Sequence, residues 1–283
     1  MKVVFLLVTV SARSGTNLLR DLVCQAPGFA TWPCDEINLL WRHGNAQHPD
    51  DELGPEQATP AVVRHMRGRF EDVARRSGAA TVVEKTCANS LRVAFVSRIL
   101  PEARYLFIVR DGRDAAASAV ERFSAPLDWR YTLRKLRYVP AADLPFYAAQ
   151  FARNRASRLF RRDRRLAFWG PRFHGFAEFA RSSTVAELCA RQWRECVELA
   201  TRDLAAIPAE RVLRLTYEVL VTRPRETLRS VFAFLGVPEA AAAIDVRHVS
   251  ATNVGRGSAI LAAERAGRAL ELLEPTLARH GYA

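Results

Sequence analysis

The chain has 283 residues, and 42 Lys plus Arg against 30 Asp plus Glu leave a formal charge of +12. Its 49% hydrophobic and 25% charged content is that of an ordinary globular protein, which excludes a disordered chain, a collagen-like repeat and a small disulfide-stapled scaffold. At roughly 100–200 residues per domain, the length fits one large α/β domain or two small ones.

The longest apolar run, Val3 to Val10, falls short of the about 20 residues that span a bilayer. It also runs into a polar turn rather than a small-residue cleavage site. The cysteines are Cys24, Cys34, Cys87, Cys189 and Cys196, an odd number with no C-x-x-C pair and no zinc spacing. Free thiols in a reducing, cytoplasmic compartment are the expectation. Lysine occurs only at Lys2, Lys85 and Lys135, so the basic excess is almost all arginine. That bias has two readings: coding bias in a GC-rich genome, or an anionic ligand, acceptor or membrane surface.

In chain order, residues 2–10 predict a buried parallel strand, short, apolar and β-branched. A polar turn from Ser11 to Thr16 leads into a helix at Asn17. Residues 60–77 predict a helix, Thr81 to Val83 a second strand, and Ser90 to Leu100 a helix stopped by Pro101. Arg104 to Val109 predicts a third strand, followed by a helix from Ala115 to Arg122. Residues 123–175 break the rhythm with interleaved arginines and aromatics, punctuated by Pro126, Pro140, Pro145 and Pro171. They predict an inserted helical subdomain or lid, residues 123–175, within a single domain of residues 1–283. Helices follow at 185–206, 227–235 and 259–280, with a fourth strand at Val212 to Leu215. Strands alternating with helices predict an α/β fold of three layers, α/β/α, with a central parallel sheet. Ligands in such sheets sit beyond the carboxyl ends of the strands.

Three strand ends carry unusual polar clusters. After the first strand comes Arg13-Ser14-Gly15-Thr16-Asn17. A small-residue turn feeding a helix start points backbone N–H groups at one spot, where the helix dipole favours an anion. Arg13 adds a planar fork for oxyanions. The plainer alternative is a turn capped by Ser14 or Thr16. The segment lacks the G-K-[ST] of a magnesium-nucleotide phosphate loop, which disfavours a kinase. After the third strand come Arg110-Asp111-Gly112-Arg113-Asp114, then Ser118 and Arg122. Ser118 and Arg122 share a helix face, so with Arg110 they form a candidate clamp for a second phosphate. The alternative is an Arg–Asp surface network with Arg113 and Asp114 in solvent. At the end of the second strand lies Lys85, which either neutralises charge on a transferred group or pairs with Glu84 or Glu36.

Together these segments resemble the sulfotransferase superfamily, whose donor is adenosine 3′-phosphate 5′-phosphosulfate (PAPS). Residues 13–19, RSGTNLL, match the family's 5′-phosphosulfate loop. Arg110 and Ser118 match its 3′-phosphate motif in identity and spacing. Lys85 resembles the Lys of the family's E-K-T element. Leu215 to Leu220 with Pro224, then Phe232 to Gly236, resemble a further block, and His280-Gly281-Tyr282 resembles the usual ending. The similarity is closest to the tyrosylprotein and carbohydrate branch, because Cys87 stands where the aryl enzymes place a catalytic His.

The resemblance implies a P-loop NTPase-like fold, PAPS as donor co-substrate, adenosine 3′,5′-bisphosphate (PAP) as product, and no metal. It implies that Arg13 and the 14–17 backbone hold the 5′ end. Arg110, Ser118 and Arg122 would hold the 3′-phosphate. Tyr217 and the Ser250–Arg256–Gly257 loop, with Gly255, would enclose the nucleotide. Lys85 and Arg13 would stabilise the transferring group, and Glu36 would act as base, with Asp35 or His43 as alternatives. The expected acceptor is a carbohydrate, a lipid-linked glycan or a natural product, with peripheral membrane contact through residues 123–175 as one option. Rival readings are a P-loop kinase, a PAP-binding homologue without catalysis, and a nucleic-acid-binding module, which would not explain polar clusters at successive strand ends.

Overall fold

The computed structural model describes residues 4–9, 13–123, 138–149, 170–263 and 266–282. Most of the expected insertion, residues 124–137 and 150–169, lies outside the described residues, as do Ser11 and Ala12 of the first loop.

Strands β1 (Val4–Thr9), β2 (Phe29–Thr31), β3 (Thr81–Glu84), β4 (Arg104–Val109) and β5 (Val212–Thr216) form one sheet in the order β2-β3-β1-β4-β5. Every neighbouring pair is parallel. The inner strands read as unbroken apolar runs because both faces are covered. Phe5, Leu7, Tyr105 and Phe107 enter one core layer, and the alternating Leu6, Leu106 and Ile108 enter the other.

Helices α1 (Thr16–Val23), α8 (Tyr217–Thr222) and α9 (Pro224–Leu235) cover the Leu6 face. The Phe5 face is covered by α3 (Pro60–Ser77), α4 (Val93–Ile99), α5 (Gly112–Phe123), α7 (Val185–Leu204), α10 (Gly257–Ala263) and α11 (Gly267–Arg279). Two further short helices are α2 (Asn38–Trp41) and α6 (Phe176–Ser182). Helix starts follow local chemistry. Thr59 accepts from the Val62 amide with Pro60 in the first turn, and Thr184 with Glu187 forms a capping box. No helix among the described residues is long and apolar enough to cross a membrane.

Three expectations are corrected. The sheet has five strands, because Phe29–Thr31 pairs with β3. The expected helix from Ser90 is a 3-10 helix, Cys87–Leu91, followed by α4. The expected last helix is two, α10 and α11, with the Ala266 amide donating to Leu261 O between them.

The strand order positions the site. The chain leaves β1 toward β3 and β2 on one side and toward β4 and β5 on the other, so β1 is the switch point. The loops after β3, β1 and β4 therefore emerge side by side.

Candidate active site

The loop after β1 carries backbone strain. Arg13 has φ +71°, the only non-glycine residue with positive φ among the described residues. Such a conformation costs of order 1 kcal/mol and persists where the surroundings hold it. Gly15 follows at φ +81°, and a Cβ there would lie 2.4 Å from Cδ2 of Tyr217. Glycine is thus required twice at this position, for its conformation and for the close approach. The Gly15 carbonyl accepts from the Leu19 amide and opens α1.

The β4 end is stitched to this loop. Arg13 Nε donates to Ser118 Oγ at 3.0 Å on α5. Arg110 Nη1 donates to the Arg13 carbonyl at 2.9 Å, and Nη2 to the Asn253 carbonyl at 2.6 Å. The Arg110 guanidinium lies 4.5 Å over the Tyr217 ring. Its Nε is buried with no hydrogen-bond partner among the described residues. Asp114 sits 3.6 Å from Arg110 and accepts from the amides of Gly255 at 2.8 Å and Gly257 at 2.6 Å. The solvent placement of Asp114 and Arg113 is thereby corrected. Asp114 is buried, and Arg113 donates to Asp111 and to the Tyr282 carbonyl.

The β3 end supplies an ion pair. Lys85, 5% exposed, donates to Glu36 Oε1 at 3.0 Å. Burial opposes the ammonium, but the Glu36 carboxylate outweighs it and raises the Lys85 pKa, so Lys85 is charged at neutral pH. The Cys87 amide also donates to Glu36 Oε1, at 3.4 Å. Burial, and then Glu36, push the Cys87 thiol up to about 12, so it is protonated and a poor nucleophile.

The three strand ends share one cleft of about 970 Å³. Arg13, Gly15, Thr16, Asn17, Glu36, Lys85, Arg110, Ser118, Arg122, Tyr217, Arg256 and Gly257 all line it. Three expected residues do not. Ser14 is fully buried, the Gly255 amide is engaged by Asp114, and Ser250 is exposed and donates to Thr252 Oγ1. Asp35 lines the cleft but pairs with Arg20 at 3.6 Å. His43 lies outside the lining, paired with Asp143 at 2.7 Å and stacked on His65 at 4.0 Å. Sequence reasoning missed Asp114 and Asn253, although the second Asp of the R-D-G-R-D segment marked one of them.

Cations gather in this cleft. Although Arg13 reaches the surface, the cleft walls desolvate its guanidinium, and Arg110 and Arg122 repel it, so its pKa is lowered. No group of three or more His, Cys, Asp or Glu able to hold a metal ion occurs among the described residues.

The sulfotransferase family model matches residues 6–158 and 149–241. The chain belongs to the sulfotransferase family, whose reaction class is sulfuryl transfer. Solved structures similar to it include the sulfotransferase domain from the curacin biosynthetic pathway, 12% identical over 94% of this chain and 98% of that one, with a TM-score of 0.49. The sulfotransferase domain of the Synechococcus PCC 7002 olefin synthase is 17% identical over 98% of this chain and 96% of that one, with a TM-score of 0.48. A sulfotransferase from Alicyclobacillus acidocaldarius is 17% identical with the same coverage and a TM-score of 0.47. No curated protein matches the sequence.

Proposed function

We propose that the protein transfers a sulfuryl group from PAPS to a hydroxyl or amine acceptor and releases PAP. The observation that carries this reading is the convergence of Arg13, Arg110 and Arg122 on one cleft, where burial first, and then repulsion by the other two arginines, lower the Arg13 pKa. Like charges converging on a strained loop are costly until an anion sits between them. The Nε of buried Arg110, without a hydrogen-bond partner among the described residues, is a donor suited to the same ligand.

On this reading the 15–17 backbone and Arg13 hold the 5′ end of the donor. Arg110, Ser118 and Arg122 hold the 3′-phosphate, and Tyr217, Arg256 and Gly257 border the nucleotide. The acceptor oxygen attacks sulfur in line, and the bond from sulfur to the PAP phosphate oxygen breaks with its electron pair leaving on PAP. Glu36 takes the acceptor proton, where a positioned base contributes ~10²–10⁴-fold. Lys85 and Arg13 stabilise charge on the transferring group. No step calls for a metal. Ile37, Leu39 and Leu40, which follow Glu36, line the same cleft and offer the acceptor a mostly apolar wall. A carbohydrate, a lipid-linked glycan or a natural product remains the acceptor class.

Thermal unfolding with PAP beside magnesium-ATP tests the donor. PAP at 100 times its Kd is expected to stabilise the protein by about 2.7 kcal/mol. Arg110→Ala, compared with its own baseline, is expected to lose that shift. Stabilisation by magnesium-ATP but not by PAP would overturn the reading in favour of a kinase. Glu36→Gln is expected to abolish turnover of PAPS with PAP affinity nearly unchanged. PAP binding without turnover on any acceptor would leave the non-catalytic homologue.

A further inference from the structure

Behind the Lys85–Glu36 pair lies a carboxylate that the reaction does not use. Glu84, the last residue of β3, is 2% exposed. Its Oε1 accepts from Thr86 Oγ1, and its Oε2 accepts from Asn89 Nδ2 at 2.8 Å. Each of these bonds starts a chain. The Thr86 hydroxyl, its proton spent on Glu84, presents a lone pair to the Ile37 amide at 3.1 Å. Asn89, its amide nitrogen turned to Glu84, presents Oδ1 to Arg92 Nε at 2.9 Å. Arg92 Nη2 then donates to Asn38 Oδ1 at 2.6 Å. The two chains end on consecutive residues, Ile37 and Asn38, directly after Glu36.

We propose that Glu84 is a positioning residue that fixes the 36–38 turn through Thr86 on one side and through Asn89 and Arg92 on the other, and so holds the Glu36 carboxylate on Lys85. This rests on the assignment of Glu36 as the base, but the positioning is separable from it.

Donor and acceptor polarity make the device directional. A carboxylate accepts at both oxygens, whereas an amide at position 84 must place an NH₂ against either Thr86 or Asn89. Against Asn89 it meets another donor. Against Thr86 it takes the place of the acceptor that received the hydroxyl proton. Thr86, Asn89 and Arg92 are all buried, at 0%, 3% and 1% exposure, so water does not repair a broken link. Burial raises the Glu84 pKa to about 7, so the acceptor-only form dominates above that pH.

The test needs no acceptor substrate. The chain has three lysines, Lys2, Lys85 and Lys135, so the ammonium resonances of ¹⁵N-labelled protein are few, and Lys85→Arg identifies the one from Lys85. Glu36→Gln is expected to shift that resonance at pH 8, since it removes the carboxylate contact. Thr86→Val, which keeps shape and loses the hydroxyl, is expected to shift it in the same direction. Glu84→Gln is expected to do likewise, and Thr86→Ser to restore the parent position. PAP Kd is expected to stay within twofold in all of them. A parent-like Lys85 resonance in Thr86→Val or Glu84→Gln would overturn the proposal. Should Glu84→Gln not fold, the Thr86→Val and Thr86→Ser pair carries the test alone. A Glu36→Gln variant that still turns over PAPS would sink the base assignment and leave the positioning result standing.

Discussion

Arg13 joins two costs in one residue, a left-handed backbone and a guanidinium repelled by Arg110 and Arg122. Glycine adopts φ +71° freely, so Arg13→Gly gives up the Ser118 hydrogen bond while relieving both costs. The expected stability in urea unfolding is within about 1 kcal/mol of the parent. PAP affinity is expected to fall tenfold or more in titration calorimetry, and unchanged affinity would remove Arg13 from the donor site. Glu84 gives a second prediction, with a definite sign. Its folded pKa, about 7, stands above the 4.5 of an ordinary glutamate, so the native state binds the proton more tightly than the unfolded chain. Stability from this group is therefore present at low pH and is lost as pH rises from about 4.5 to about 7. Each tenfold difference in proton affinity is worth about 1.4 kcal/mol, so the loss across that window is about 3 kcal/mol. Unfolding of Glu84→Gln and parent, compared from pH 5 to pH 8, is expected to diverge in slope over that window, because every other titration is common to both. Parallel curves would contradict the burial argument.

At the scale of elements, Asp114 in the first turn of α5 ties a distant loop to the β4 end. Its two oxygens accept from Gly255 and Gly257, and a Cβ on Gly257 would lie 2.2 Å from the Arg113 carbonyl carbon. Asp114→Ala leaves two amides without their acceptor and Arg110 without its carboxylate, a loss of about 1–3 kcal/mol for each buried group left unsatisfied. Hydrogen exchange at residues 253–257 is expected to accelerate, with a matching loss of PAP affinity; slow exchange there would mean the loop is held by other contacts. The contrast between Asp114 and its neighbours shows what the sequence makes legible. β1, β3 and β4 are readable because apolar β-branched runs stop abruptly at Arg, Lys or Ser. The Arg110 to Ser118 spacing survives into contact because α5 carries both groups toward the β1 loop. β2 is three half-buried residues, Phe29–Thr31, too short for a period to register. Asp114 looks like one more surface charge beside Arg113, and its burial depends on a loop some 140 residues away, with which local periodicity has no link. The α10–α11 break is hidden for a related reason. Apolar spacing continues across it, and only Gly267, a weak helix former, marks the interruption.

For the whole molecule, topology and charge act on the same spot. Because β1 is the switch point, the three loops that bear Arg13, Lys85 and Arg110 are neighbours at the carboxyl ends of the central strands. The cleft lining brings together Arg13, Lys85, Arg110, Arg122 and Arg256. A field of this kind raises the local concentration of an anionic ligand and speeds encounter, and it is screened by salt. The screening length falls from about 10 Å at 0.1 M to about 3 Å at 1 M. Distance from the ligand should then divide the arginines into two kinetic classes. Arg256 is exposed, so it can steer an approaching nucleotide but is screened as soon as salt is added. Arg110 is 5% exposed and stacked on Tyr217, so salt reaches it little. Stopped-flow binding of PAP at 50 mM and 500 mM salt, about a tenfold span, reads both. Arg256→Ala is expected to slow association several-fold at low salt, to flatten the salt dependence, and to leave dissociation nearly unchanged. Arg110→Ala is expected to speed dissociation at both salt concentrations. If Arg256→Ala changed only dissociation, its side chain would be a direct contact of the bound nucleotide rather than a steering charge, and the long-range field would have to arise elsewhere on the surface.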